Sequence, residues 1–179
     1  MKKTFGLLAL SAALLTTGCV THEPFFQGTN VNINKNQGDI LGTLVVFNKN
    51  EIGLARLART KTHNPMVRSY AHMIAADHSA NLQATEALAQ KLDLPLHKDA
   101  QAMNLQSRGH KEWQELNRSN HFNRDFAEAM VKGHEDALSL LEHLSHTNNP
   151  AIRQHIMNTR AHVLVHLQKA QILQKELAR

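Results

Sequence analysis

Four stretches of the chain repeat apolar residues in steps of three and four, the spacing that lines one face of an α-helix. The first stripe is Ile40, Leu44, Phe47, Glu51, Leu54 and Ala58. The second is Val67, Ala71, Ile74, His78, Leu82, Thr85, Leu88 and Leu92. The third runs Phe126, Met130, His134 (or Gly133), Ala137, Leu141 and Leu144, and the last Ile152, Ile156, Thr159, Val163, His166, Ala170, Leu173 and Leu177. Asp39 is the expected N-cap of the first helix. Asn64-Pro65 and Asn149-Pro150 each put a capping side chain before a proline at the first helical position. Leu94-Pro95-Leu96 breaks the second helix. Between Lys98 and Ser119 the pattern weakens, and only a short helix around His110 to Leu116 is predicted.

Asn64-Pro65-Met66-Val67-Arg68 recurs 85 residues later as Asn149-Pro150-Ala151-Ile152-Arg153, and at the same shift Leu82, Leu88 and Leu92 fall on Leu167, Leu173 and Leu177. Two copies of a helical hairpin joined by a long connection predict an all-α fold. The specific expectation is a ferritin-like four-helix bundle whose crossover contains a short helix.

Each stripe carries a polar residue where the pattern asks for an apolar one: Glu51, His78 (with Asp77 beside it), His134 and His166. His162, one turn before His166, competes for the last place. Counted from the hairpin turns, the four stripe positions differ by about six residues, roughly 9 Å along the bundle. The lean of helical side chains toward their own N-terminus narrows that gap. Imidazoles and carboxylates converging inside a bundle make a site for a transition metal: copper, zinc or iron. The alternative is a metal-free hydrogen-bond network, with Glu51 accepting from His78 and Asp77 orienting a ring. No Glu-x-x-His falls on a core stripe, and no nucleophile stands paired with a base, so a non-catalytic protein is expected.

The first residues stand apart. Met1-Lys2-Lys3 is basic, Phe5 to Leu15 is an apolar run too short to span a bilayer, and Leu15-Thr16-Thr17-Gly18-Cys19 resembles the lipobox of bacterial lipoproteins. That resemblance implies a leader over residues 1–18 and lipidation (palmitate included) at Cys19, the single cysteine of the chain. Val20 is not the aspartate that favours inner-membrane retention, which implies attachment to the outer membrane, facing the periplasm. Residues 19–39, rich in Asn and Gly, are expected to be a tether, leaving 40–178 as the bundle. Loss of Lys2 and Lys3 with the leader lowers the formal charge from +5 to +3. With aromatics at only 4%, that weak balance gives no footprint for nucleic acid. The partner indicated is the membrane, through the lipid; protein partners are not legible.

Several of these motifs occur together in one family. Asn50-Glu51-Ile52-Gly53-Leu54-Ala55, Asn64-Pro65-x-Val67, Met73-x-x-x-Asp77-His78, Phe126-x-x-x-Met130-Val131-x-x-His134 and Leu164-x-His166-Leu167 resemble the DUF4142 family over roughly residues 40 to 175. The resemblance implies an envelope protein with a ferritin-like bundle and no established activity, and it points to Glu51, Asp77, His78, His134 and His166 in preference to His162. Where the family usually has Phe-Asp and then a tyrosine, this chain has Phe122-Asn123 and Phe126. The family is in turn similar to a copper-associated envelope group, DUF305.

Overall fold

The computed structural model describes residues 36–179; the leader, Cys19 and the tether up to residue 35 lie outside the described residues. Five helices follow in order: α1 (Gln37–Lys61), α2 (Pro65–Lys91), α3 (Ala100–Arg118), α4 (Phe122–Leu144) and α5 (Pro150–Leu177). The described residues contain no strand.

The first helix starts before its apolar stripe. Asn36, not Asp39, is the N-cap: its side-chain oxygen accepts the Gly38 N–H at 3.0 Å. Asp39 lies in the first turn, where a carboxylate faces the positive end of the helix dipole. Residues 37–39, expected in the tether, are therefore helical.

The two hairpin turns are built alike. Asn64 Oδ1 accepts from the amides of Met66 and Val67, and Asn149 Oδ1 from those of Ala151 and Ile152. Two residues earlier, a buried threonine accepts the N–H of that asparagine: Thr62 from Asn64 at 3.0 Å and Thr147 from Asn149 at 3.3 Å. The repeated unit is thus Thr-x-Asn-Pro, a turn that satisfies the orphan donors of each following helix.

Helix α1 packs on α2, α4 on α5, and α2 on α5. Their apolar residues form two clusters. One gathers Tyr70, Ile74, Phe126, Met130 and Ala170; the other gathers Leu44, Phe47, Leu141, Ile156 and Val163. His134 falls between Met130 and Ala137, and His166 between Val163 and Ala170, so the inward histidines form a polar layer where one core gives way to the other.

The connection between α2 and α4 differs from the expected short helix. Helix α3 is 19 residues long, capped by Asp99, whose Oδ1 accepts from Ala102 N at 2.8 Å. It lies on α1 and also touches α4. Only Ala102 and Leu116 of α3 are fully buried; its inward face continues through half-buried Leu105, Gly109 and Glu112, where a glycine and an acid replace the apolar residues that would make the stripe plain. The consequence falls on α1, where every residue from Ile40 to Asn48 is buried. The connection into α3 reaches α1 through Gly38 and Gly42, one turn apart. A Cβ at Gly42 would overlap the His97 carbonyl, and His97 N–H donates to Gly38 O at 3.4 Å.

Candidate metal centre

His78 comes from the middle of α2, His134 from α4 and His166 from α5, each at the stripe position its helix turns inward. All three are buried, with exposures of 2%, 0% and 2%. Their ring centroids stand 6.1 Å (His78–His134), 5.2 Å (His78–His166) and 5.4 Å (His134–His166) apart. One ring nitrogen from each lies within 4.8 Å of the other two.

Which nitrogens are free follows from the hydrogen bonds behind the rings. His134 Nδ1 is 2.7 Å from the Met130 carbonyl, which only accepts, so Nδ1 carries the hydrogen. His166 Nε2 donates to Asp77 Oδ2 at 2.9 Å. For His78 the direction is set by a longer chain anchored on a carbonyl. Thr159 Oγ1 donates to His155 O at 2.9 Å, so it must accept from Asn81 Nδ2 at 2.7 Å. Asn81 Oδ1 then accepts from Asn48 Nδ2 at 2.9 Å, and Nδ2 also donates to Leu44 O. That leaves Asn48 Oδ1 as the acceptor 3.0 Å from His78 Nδ1, which must be the donor. The remaining nitrogens, His78 Nε2, His134 Nε2 and His166 Nδ1, are therefore bare lone pairs when the rings are neutral.

The rings are held neutral by burial. Desolvation lowers the pKa of His134 to about 4. Burial first, and then the neighbouring histidines, lowers His78 well below the usual histidine range. Burial also lowers His166, against the opposing pull of Asp77. The three lone pairs are buried without a hydrogen-bond partner. Among the described residues the other such atoms are Glu51 Oε2 and Arg160 Nε, the latter 3.5 Å from the Glu142 carboxylate. Three unpaired acceptors facing one another are costly in a protein interior.

The other expected site residues lie around this triangle. Asp77 is half-buried and holds the far side of His166; it is not in the group of converging atoms. His162 is exposed, outside the triangle. It is nearer than His166 to the level of the other residues, but helical phase decides over height: His166 shares the stripe of Val163 and Ala170, and His162 does not. Glu51 also falls outside the group, and it does not accept from His78, whose partner is Asn48. Its carboxyl faces Gly133 and lines a cleft of about 360 Å³ between α1, α3 and α4, shared with Glu112. Burial pushes Glu51 up to about 7; burial, then repulsion from Glu51, pushes Glu112 to about 8.

Asn48, Asn81 and Thr159 carry as much of the arrangement as the residues chosen from sequence. Asn48 is fully buried beside the α1 stripe, one turn after Leu44. A polar residue flanked by Phe47 and Glu51 is a signal, though it says nothing of which ring it holds.

A family model described as domain of unknown function (DUF4142) matches residues 27–173, most of the chain. The chain belongs to the DUF4142 family. No curated protein and no solved structure matches it. In this DUF4142 domain the quoted motifs serve different places, Asn50-Glu51 lining the cleft between α1, α3 and α4. Asn64-Pro65 and Thr62 build turns, whereas Asp77-His78, Met130-x-x-x-His134 and His166 meet in the centre of the helices.

Proposed function

We propose that this protein binds a transition metal through His78 Nε2, His134 Nε2 and His166 Nδ1, in a ferritin-like bundle held at the envelope by a lipid on Cys19. The observation that carries the reading is the set of three bare nitrogens. Each ring spends its N–H on a partner behind it, and what remains in front are unpaired lone pairs. Hydrogen bonds behind ligating histidines are what fix tautomer and ring orientation in metal sites. A metal bound at about 2.0–2.1 Å would draw the nitrogens to roughly 3.5 Å apart, an inward movement of about 1 Å from the observed upper separation. Three neutral imidazoles without thiolate suit zinc or copper, and iron among the other first-row ions. Once bound, such an ion supplies Lewis acidity and keeps a coordination position beyond the three histidines.

A metal-free network among the side chains explains the backs of the rings but not their fronts, where no protein group among the described residues donates to any of the three acceptors. The role supported best is buffering of a metal, or protection from one, in the periplasm. The lipobox-like segment before Cys19 and Val20 after it support the outer membrane. No helix among the described residues is long and apolar enough to cross a membrane, so attachment in this reading rests on the lipid.

Elemental analysis after loading with Zn(II) or Cu(II) and desalting tests the site. One ion per chain is expected for the natural sequence, and none for the paired substitution His78→Ala/His134→Ala. Full stoichiometry in that variant, or none in the natural chain, overturns the reading.

A further inference from the structure

Two clefts approach the centre from opposite sides. The cleft between α1, α3 and α4 is lined by Glu51, Glu112, Lys132 and Gly133, and by none of the three histidines. The groove between α2 and α5, about 260 Å³, is lined by His78 and His166 themselves, with Asp77, Asn81, His155 and His162. His162 is exposed on the same wall of α5, one turn before His166. His155 is half-buried below it, its Nε2 2.8 Å from Thr85 Oγ1. Because the Thr85 hydroxyl donates to Asn81 O, His155 Nε2 must be the donor, which leaves its Nδ1 as the lone pair. Imidazoles thus run from the solvent face of the groove to the buried rings, and the route meets His166 and His78 before it reaches His134.

We propose that the α2/α5 groove is the path by which a transition-metal ion enters and leaves the three-histidine centre, and that His162 is the ligand that first receives it. This rests on the metal reading above and adds that the bound ion is exchangeable. An exposed imidazole binds a hydrated ion weakly. Passage to the inner rings replaces its water shell with three fixed nitrogens, the more stable state because their orientation is already set. Three protein ligands, with no fourth His, Cys, Asp or Glu of the described residues in the converging group, leave the ion a position for an outside ligand during transfer.

The test is stopped-flow uptake of Co(II) by the full chain, read from its visible absorption, beside equilibrium competition with a chelator. Ala84→Trp fills the groove from an exposed position of α2; Lys132→Trp fills the opposite cleft from an exposed position of α4. Uptake should slow about tenfold in Ala84→Trp and several-fold in His162→Ala, with final affinity within about twofold of the natural chain, and stay unchanged in Lys132→Trp. If Ala84→Trp does not fold, Asn158→Trp on the facing wall, also exposed, takes its place. Slowing by Lys132→Trp alone places the route in the other cleft and overturns the proposal, as does unaltered uptake in His162→Ala. A tenfold loss of equilibrium affinity in His162→Ala makes it a resident ligand and overturns its receiving role. Failure of the natural chain to take up any of Co(II), Zn(II) and Cu(II) overturns the metal reading itself.

Discussion

Asp77 Oδ2 accepts a hydrogen bond from His166 Nε2 at 2.9 Å, joining α2 to α5 and turning the other nitrogen of His166 toward His78 and His134. The carboxylate thereby acts on the centre without belonging to it. His166 keeps its stripe position without Asp77, but its tautomer and ring angle are no longer set. Asp77→Ala should therefore weaken metal binding by about 10–100-fold while leaving the stoichiometry at one. Competition titration measures this, and unchanged affinity would count against the positioning role.

Asn48 is the hinge of the chain that fixes His78. With its side chain replaced by an apolar one, His78 Nδ1–H and Asn81 Oδ1 both lose their buried partners. Asn48→Leu should cost roughly 2–4 kcal/mol in the metal-free protein, read from urea unfolding. A loss below about 0.5 kcal/mol would mean that water or a rearranged ring serves as well.

Acid should act on the metal-free protein through His134. The unfolded chain protonates this ring near 6.5, the folded one only at about 4. Between those values the unfolded state binds more protons, so stability is lost as pH falls through the window. The contribution is on the order of 3 kcal/mol. Comparison with His134→Gln isolates it: the stability difference, natural chain minus variant, should shrink by about that amount between pH 7 and pH 4. A difference independent of pH would refute the assignment.

Glu51 has the opposite sign. Its carboxyl titrates at about 7 in the fold against 4.5 in the unfolded chain. The folded state therefore holds its proton longer, and stability is lost as pH rises from 4.5 through 7. Glu51→Gln removes that dependence. Relative to the natural chain it should gain up to roughly 3 kcal/mol between pH 4 and pH 8, measured by denaturant midpoints at both.

Gly42 tests the packing of the connection between α2 and α3. A methyl group there meets the His97 backbone, which cannot rotate away as a side chain would. Gly42→Ala should cost about 1–3 kcal/mol despite alanine's better helix propensity, because the connection must lift from α1. A stabilised variant, by thermal or urea unfolding, would show that the connection moves freely.

The stripes of α2, α4 and α5 are legible in the chain because each buries one face. On α5 the expected positions Ile152, Ile156, Thr159, Val163, His166, Ala170 and Leu173 are the buried ones. Helix α1 is legible through its stripe, but over Ile40–Asn48 the packing of α2, α3 and the 93–98 connection buries the other faces too, so there no single face stands out. Helix α3 is harder to read for another reason: its inward face has the helical period, but Gly109 and Glu112 stand on it and the helix is polar overall, so few apolar residues mark it.

What the sequence by itself determined is local: where helices begin, from Asn64-Pro65 and Asn149-Pro150, and which residues interrupt an apolar face. Those follow from backbone donors that need caps and from the 3.6-residue turn. Tertiary structure alone decided that Asn48 stands behind His78, that the ring Asp77 holds is that of His166, and that Glu51 turns to a different cleft. A hydrogen bond between helices depends on a few tenths of an ångström and on the angle at which they cross, and neither is written in the spacing of residues along one of them.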